Sequence, residues 1–127
     1  MKLRMVIAAV CVTLAAPAAA APEMSAGEFL KRAEPLLKKS KVALVFSGEA
    51  RKLMGTLGQA AERNRAKIDA DRAAGRTPSA CLPPKGKAQI SATELLAHLR
   101  AMPPAQRAQS FDAAFASYTA KKYPCRA

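Results

Sequence analysis

A chain of 127 residues with 21 lysines and arginines against 9 aspartates and glutamates carries a net charge of +12. The length fits a single domain built around a single core. The positive charge indicates an anionic partner, or simply a solvated surface that keeps the protein soluble. One histidine, with Cys81 and Cys125 expected to pair in a disulfide, does not supply the three or four ligands of a typical metal site.

The first twenty residues have the pattern of a secretion signal. A positively charged start precedes an uncharged run, Met5–Ala16, which is followed by Pro17 and several alanines. A charged start, an apolar stretch and small residues before the cut are the three parts of a signal peptide. We therefore predict that residues 1–20 are a signal peptide, cleaved between Ala20 and Ala21.

Two other interpretations of this segment fit less well. A membrane span needs about 20 apolar residues, and Pro17 ends this run too early. A lipid anchor on Cys11 would place the modified cysteine inside the apolar stretch. We therefore expect a periplasmic protein without a stable membrane anchor. Loss of Lys2 and Arg4 leaves a mature chain of net charge +10, for which nucleic acid is not the expected partner because the periplasm holds little of it.

The first helix is predicted to begin at Ser25, where Ser25 and Glu28 form a capping box. Apolar residues follow at helical spacing up to Leu37. Pro35 interrupts this pattern, so we expect a kink or a break just before it. The next apolar run, Val42–Phe46, is the one β-leaning segment, and it is too short to found a sheet.

A longer second helix is predicted from Ser47, its cap, to Gly75, which supplies the left-handed residue that ends it. Its predicted apolar face consists of Ala50, Leu53, Met54, Leu57, Ala61 and Ile68. Gly55 and Gly58 lie in the middle of this helix. They indicate either a close approach of another helix or a bend.

Two surfaces are candidates for partner binding. The first is the proline-rich loop after the second helix, which is tied down by a cysteine and exposes Lys85, Gly86 and Lys87 at its tip. The second is the basic face of the second helix around Arg63 and Lys67. The alternative for the loop is that it only connects two helices. The alternative for the basic face is that it is a solvated charged surface.

Two shorter helices are predicted after this loop. One begins at Ser91 and the other near Ser110, and both carry apolar residues at spacings of three and four. Once residues 1–20 are removed, only Cys81 and Cys125 remain, and two cysteines in an exported chain are expected to pair. The sequence therefore predicts an all-α fold, a small bundle of about four helices closed by one disulfide.

Catalytic chemistry finds little support in the sequence. The only histidine, His98, lies beside Leu95 and Leu99 on a predicted helix, where packing or surface roles are more common than catalysis. There is no glycine loop for a phosphate and no convincing acid–base pair of carboxylates. We predict that the protein is not an enzyme and that it uses no cofactor and no metal.

The segment from Cys81 to Cys125 carries a specific set of motifs. It opens with Cys-x-Pro at Pro83, contains a Leu-x-x-x-Pro stretch from Leu99 to Pro103, and closes with Tyr-Pro-Cys. In these features the segment resembles the C-terminal half of the Rap/Tai family of type VI secretion immunity proteins. Typical members carry a further cysteine pair that this chain lacks.

The resemblance implies that residues 21–127 form a single helical Rap/Tai-like domain. Members of that family are exported helical proteins that bind and occlude toxins, typically peptidoglycan amidases, and are often dimeric. We therefore expect an exported periplasmic binding protein, an immunity protein whose partner is a toxin such as an amidase, with a homodimer as a further expectation. The alternative is a basic envelope-associated protein that binds anionic cell-wall or membrane polymers.

Overall fold

A computed structural model describes residues 23–126, which form a bundle of α-helices. The helices are α1 (Ala26–Leu37), α2 (Lys41–Val45), α3 (Gly48–Ala73), α4 (Ala92–Ala101), α5 (Pro104–Arg107) and α6 (Phe111–Lys122). A disulfide joins Cys81 to Cys125. The predicted small all-α bundle closed by one disulfide is confirmed. The described residues contain six helices rather than about four, because the short helices α2 and α5 escaped prediction.

Serine caps set the start of five of these helices. In each, the serine hydroxyl accepts a hydrogen bond from the backbone N–H three residues later, which satisfies one free donor of the first turn. The caps are Ser25, Ser40, Ser47, Ser91 and Ser110. All but Ser40 match the predicted starts. The glutamate of the predicted capping box, Glu28, bonds instead to Arg32, and Glu94, in the first turn of α4, bonds to Lys122.

Helix α1 continues through Pro35 and ends at Leu37, so the predicted break does not occur. Proline in the last turn removes one backbone donor, but the turn is closed by later amides. The N–H of Lys38 bonds to the carbonyl of Pro35 at 3.3 Å, and the N–H of Lys39 bonds to that of Leu36 at 3.1 Å. The proline is therefore tolerated because the helix has nearly finished.

The run Val42–Phe46, read from its sequence as β-leaning, is largely helical, since α2 covers Lys41–Val45. The β preference of this run is overridden because one serine caps the start of α2 and another begins the next helix directly after the run. The Ser40 hydroxyl accepts from the N–H of Ala43 at 3.2 Å, and Ser47 caps the next helix. Local capping thus outweighs the β preference of the valines.

The core lies where α1, α4 and α6 meet, with α3 packed mainly against α6 and α1. Its largest fully buried side chains are Phe111, Phe115, Ile68, Leu95 and Leu99. The Phe29 ring stacks on that of Phe111 with centroids 3.9 Å apart. The apolar repeats predicted for the helices after the loop are therefore core positions.

The inward face of α3 differs from its prediction at four positions, one of which is Ala60, buried although it was not predicted there. Met54 was expected on the apolar face, yet it is 65% exposed. Asn64 and Asp71 are buried instead, because partners from elsewhere satisfy them. The Asn64 amide donates to the Thr119 hydroxyl at 3.0 Å, and Asp71 accepts from a flanking lysine and arginine.

The glycines of α3 do not mark a helix contact. A methyl group placed on Gly55 or Gly58 would meet no atom within 4 Å, so the close approach considered for them is wrong. The close approach lies at Gly27, where an added Cβ would sit 3.3 Å from the carbonyl oxygen of Arg107. This glycine lets α1 lie directly against α5.

A backbone clamp joins the two ends of the fold. Ser25 and Ser110, the caps of α1 and α6, form an antiparallel bridge. The N–H of Ala26 bonds to the carbonyl of Gln109 at 2.9 Å, and the N–H of Phe111 bonds to that of Met24 at 2.8 Å. Each helix therefore has its first turn anchored by the chain that enters the other.

Candidate binding surfaces

An apolar groove of about 370 Å³ opens on one side of the bundle, between α1, α2, α3 and α4. Its lining is aliphatic and aromatic apart from Arg51. The larger side chains that line it are Phe29, Leu36, Leu37, Leu44, Val45, Leu53, Met54, Leu57, Leu95 and Leu96. Mostly apolar concavities of this size are the usual form of binding sites in proteins.

The groove exists because α2 is too short to fill it. Phe29, Leu53 and Leu95 are buried at its floor, whereas α2 has no buried residue. Helix α2 faces the groove through Leu44, which is half-buried, and Val45, which is exposed. Helix α2 therefore forms one wall of the groove and leaves its mouth open.

The mouth of the groove carries an unusual amount of exposed apolar surface. Val42 and Val45 are each 69% exposed, Phe46 is 77% exposed and Leu37 is 46% exposed. Together with Met54 they form one exposed apolar region around the groove. Phe46 is therefore a surface residue.

Positive charge surrounds the same region. Between residues 36 and 52 the sequence has five basic residues and one acidic residue. The basic residues, all exposed, are Lys38, Lys39, Lys41, Arg51 and Lys52. Within residues 23–126, none of them lies within 4.0 Å of a carboxylate oxygen. The surface around the groove is thus both apolar and cationic.

The predicted loop site, Lys85, Gly86 and Lys87, forms a tight exposed turn. The N–H of Lys87 bonds to the carbonyl of Pro84 at 2.9 Å, and Gly86 has φ +86°. A positive φ at the third residue of such a turn belongs to type II and favours glycine. The two lysines consequently project from a fixed turn.

This loop is fastened at several points besides the disulfide. The N–H of Cys81 bonds to the Tyr123 carbonyl at 2.8 Å, and the Tyr123 hydroxyl both accepts from and donates to the backbone of Gln89, at 3.1 and 3.2 Å. Arg65 donates to the carbonyl of Pro83 at 3.0 Å. Tyr123 and Arg65 are loop-holding residues that sequence reasoning missed, because their partners are distant in the chain.

The basic face predicted on α3 is largely compensated within the protein. Arg63 is held by both carboxylate oxygens of Asp112 on α6, and this hydrogen bonding raises the pKa of Arg63. Lys67 donates to Asp71 at 3.1 Å. These two cations therefore stabilise the α3 surface, and Arg65, between them in the sequence, contacts the loop at Pro83.

Two carboxylates have clearly altered acidity. Hydrogen bonds from Lys67 and then Arg76 lower the pKa of Asp71. A hydrogen bond from Lys122, with a further one from the Tyr118 hydroxyl, lowers the pKa of Glu94. Both groups are therefore ionised acceptors for neighbouring cations, which is a structural arrangement and not that of a poised proton donor.

His98 is half-buried and contacts Ser117, with 2.7 Å between Nε2 and Oγ. Burial, and next the charge of Lys121, lower the pKa of His98. The Ser117 hydroxyl is also 3.1 Å from the Ala114 carbonyl, to which it donates. The Ser117 hydroxyl therefore contacts both the His98 ring and the backbone of its own helix.

Among the described residues, no group of three or more His, Cys, Asp or Glu side chains could hold a metal ion.

The groove is the feature that sequence reasoning missed. A helical signal exists for α2, which forms one wall of the groove, because Val42, Val45 and Phe46 are spaced three and four apart behind a serine cap. Their assembly with α1, α3 and α4 depends on long-range packing.

Comparisons with family models, with curated proteins and with solved structures found no match to this chain. The Rap/Tai assignment therefore stays a prediction. The predicted signal peptide and its cleavage point, between Ala20 and Ala21, lie outside the described residues. Within those residues, no helix is long and apolar enough to cross a bilayer.

Proposed function

We propose that the protein is an exported, non-enzymatic binding protein of the periplasm that acts by covering its partner. The observation that carries this proposal is the apolar groove with its exposed surroundings. Contiguous exposed apolar surface on a small domain commonly marks an interaction site. Aliphatic and aromatic side chains that lose water on docking supply most of the binding energy at such sites.

The partner we propose is a protein toxin, with a peptidoglycan amidase as the first candidate. The motifs from Cys81 to Cys125 that resemble Rap/Tai immunity proteins support this choice. The rigid turn with Lys85 and Lys87 is the second contact surface in this proposal, since a fixed protruding turn can enter a cleft at little entropic cost. Homodimerisation belongs to the same proposal.

The test is inhibition of an amidase toxin encoded beside this gene. The chain recovered from the periplasm is titrated into a peptidoglycan hydrolysis assay, with binding followed by calorimetry. Met54→Glu is expected to weaken binding at least tenfold, about 1.4 kcal/mol, because it places a charge in the groove wall. Folding should hardly change, since Met54 is exposed.

The matched comparison is the double variant Lys85→Glu/Lys87→Glu, which also changes exposed residues only. If this double variant binds at least tenfold more weakly while Met54→Glu binds as the wild type does, the binding site lies at the loop and not in the groove. A chain that neither binds nor inhibits the neighbouring amidase contradicts the immunity proposal. A monomer in analytical ultracentrifugation at concentrations well above those of the assay contradicts the homodimer.

A second candidate function is association with anionic polymers of the envelope. The specific observation in its favour is the set of five exposed cations around α2 that lack a carboxylate partner within residues 23–126. Such binding is electrostatic and is expected to weaken steeply as salt is added.

A further inference from the structure

We propose that the outer face of α2 is a docking surface for an anionic lipid bilayer. It inserts Val42, Val45 and Phe46 among the lipids, while Lys39 and Lys41 bind headgroups. This inference rests on the second candidate function and narrows its target from anionic envelope polymers in general to the membrane surface. It does not require toxin binding in the groove.

The apolar part of this surface has no role in the core. Val42, Val45 and Phe46 are spaced three and four apart, which places them on one side of the helical turn. They are 69%, 69% and 77% exposed, so most of their surface stays in water. Since α2 contributes no buried residue to the fold, its sequence is better explained by something that the outer face meets.

The basic part adjoins this face. Lys38 and Lys39 precede the Ser40 cap, and Lys41 is the first residue of α2. All three are exposed, and in the described part of the chain no carboxylate lies near enough to pair with them. Long lysine side chains can lie along an apolar surface and still place their ammonium groups among lipid phosphates.

The shape of the surface favours a bilayer over a soluble protein. Val42 and Phe46 do not line the groove, which α2 faces through Leu44 and Val45; together with the exposed part of Val45 they form a ridge on the surface. A ridge of projecting side chains enters the headgroup boundary without a matching cleft, as interfacial helices do to a depth of about 5–10 Å. Five basic residues against one acidic residue between positions 36 and 52 set the sign of the lipid charge.

The experiment measures binding to vesicles by co-sedimentation, with the chain recovered from the periplasm. One set of vesicles contains phosphatidylglycerol and phosphatidylethanolamine, and the other contains phosphatidylcholine alone. Dextran sulfate serves as a soluble anionic polymer without a bilayer. The wild-type chain is expected to bind the anionic vesicles at least tenfold more tightly than the neutral ones, because each lysine near an anionic surface adds to the attraction.

Two variants test the assigned residues. Phe46→Ser is expected to weaken binding to anionic vesicles roughly tenfold, since it removes an inserted apolar side chain. It should leave binding to dextran sulfate unchanged. Lys39→Gln/Lys41→Gln should weaken vesicle binding roughly tenfold or more, and Lys85→Gln/Lys87→Gln, which removes the same charge from the loop, should weaken it less than threefold. Circular dichroism checks that each variant stays folded, as expected for exposed positions.

Four outcomes overturn the inference. Binding to dextran sulfate without binding to anionic vesicles leaves the envelope-polymer function standing and removes the bilayer. Equal effects of the α2 and loop double variants show that net charge alone acts. If the chain binds an acidic protein but does not bind vesicles, the surface is assigned to a protein partner. Failure to bind either dextran sulfate or vesicles overturns the second candidate function as well.

Discussion

Removal of the Cys81–Cys125 disulfide is expected to lower the free energy of unfolding by about 4 kcal/mol at 25 °C. The bond joins residues 44 positions apart, and loop-closure entropy in the unfolded chain gives that magnitude. Cys81→Ser/Cys125→Ser is the cleanest perturbation, because it leaves no unpaired thiol. Losses of roughly 2–5 kcal/mol are typical when a small exported domain loses its disulfide.

The expected loss is measured by urea unfolding of the wild type and the double variant, followed by circular dichroism. The slope of unfolding free energy against urea should rise in the variant, because the uncrosslinked unfolded chain exposes more surface. Tyr123→Phe is the companion variant. It removes the hydroxyl that bonds to Gln89 and keeps the disulfide, so it should cost only about 0.5–1.5 kcal/mol per lost hydrogen bond. A double cysteine variant within 1 kcal/mol of the wild type would refute the reasoning.

Two further predictions concern the core and acid stability. Leu99→Ala should lower the free energy of unfolding by about 2–5 kcal/mol, because Leu99 is completely buried; a loss below 1 kcal/mol in urea unfolding would contradict its core position. Asp71 and Glu94 have lowered pKa values in the folded state, so their contribution to stability is full above the ordinary carboxyl values of 3.8 and 4.5 and is lost as pH falls through the folded values. Unfolding measured from neutral to acidic pH should show this loss, and Asp71→Asn should reduce it; identical acid profiles for the two proteins would count against the assigned ion pairs.

The helix starts were predictable because they depend on short-range chemistry. A serine followed by helical spacing identifies a first turn without knowledge of the rest of the chain, and four of the five serine caps were found in this way. The same local reasoning failed at Val42–Phe46. There, β-branched residues favour a strand, while Ser40 caps the start of a short helix and Ser47 begins the next helix.

The buried polar residues of α3 could not be predicted from the spacing of its apolar residues. Asn64 and Asp71 interrupt an apolar stripe and look like solvent positions until their partners are known. Thr119, which satisfies Asn64, lies on α6, and no local spacing connects the two. The groove escaped prediction for the same reason, since its lining comes from four helices and its opening results from the shortness of α2.

The clamp between Ser25 and Ser110 has a consequence for the order of folding. Because the amide of Ala26 bonds to Gln109 and that of Phe111 bonds to Met24, the first turn of α1 gains this backbone anchor only when the residues that lead into α6 are in place. A chain synthesised from its N-terminus therefore lacks the anchor until Gln109 has emerged. Truncation before Ser110 should consequently loosen the opposite end of the sequence, and limited proteolysis near Met24 should be its earliest sign.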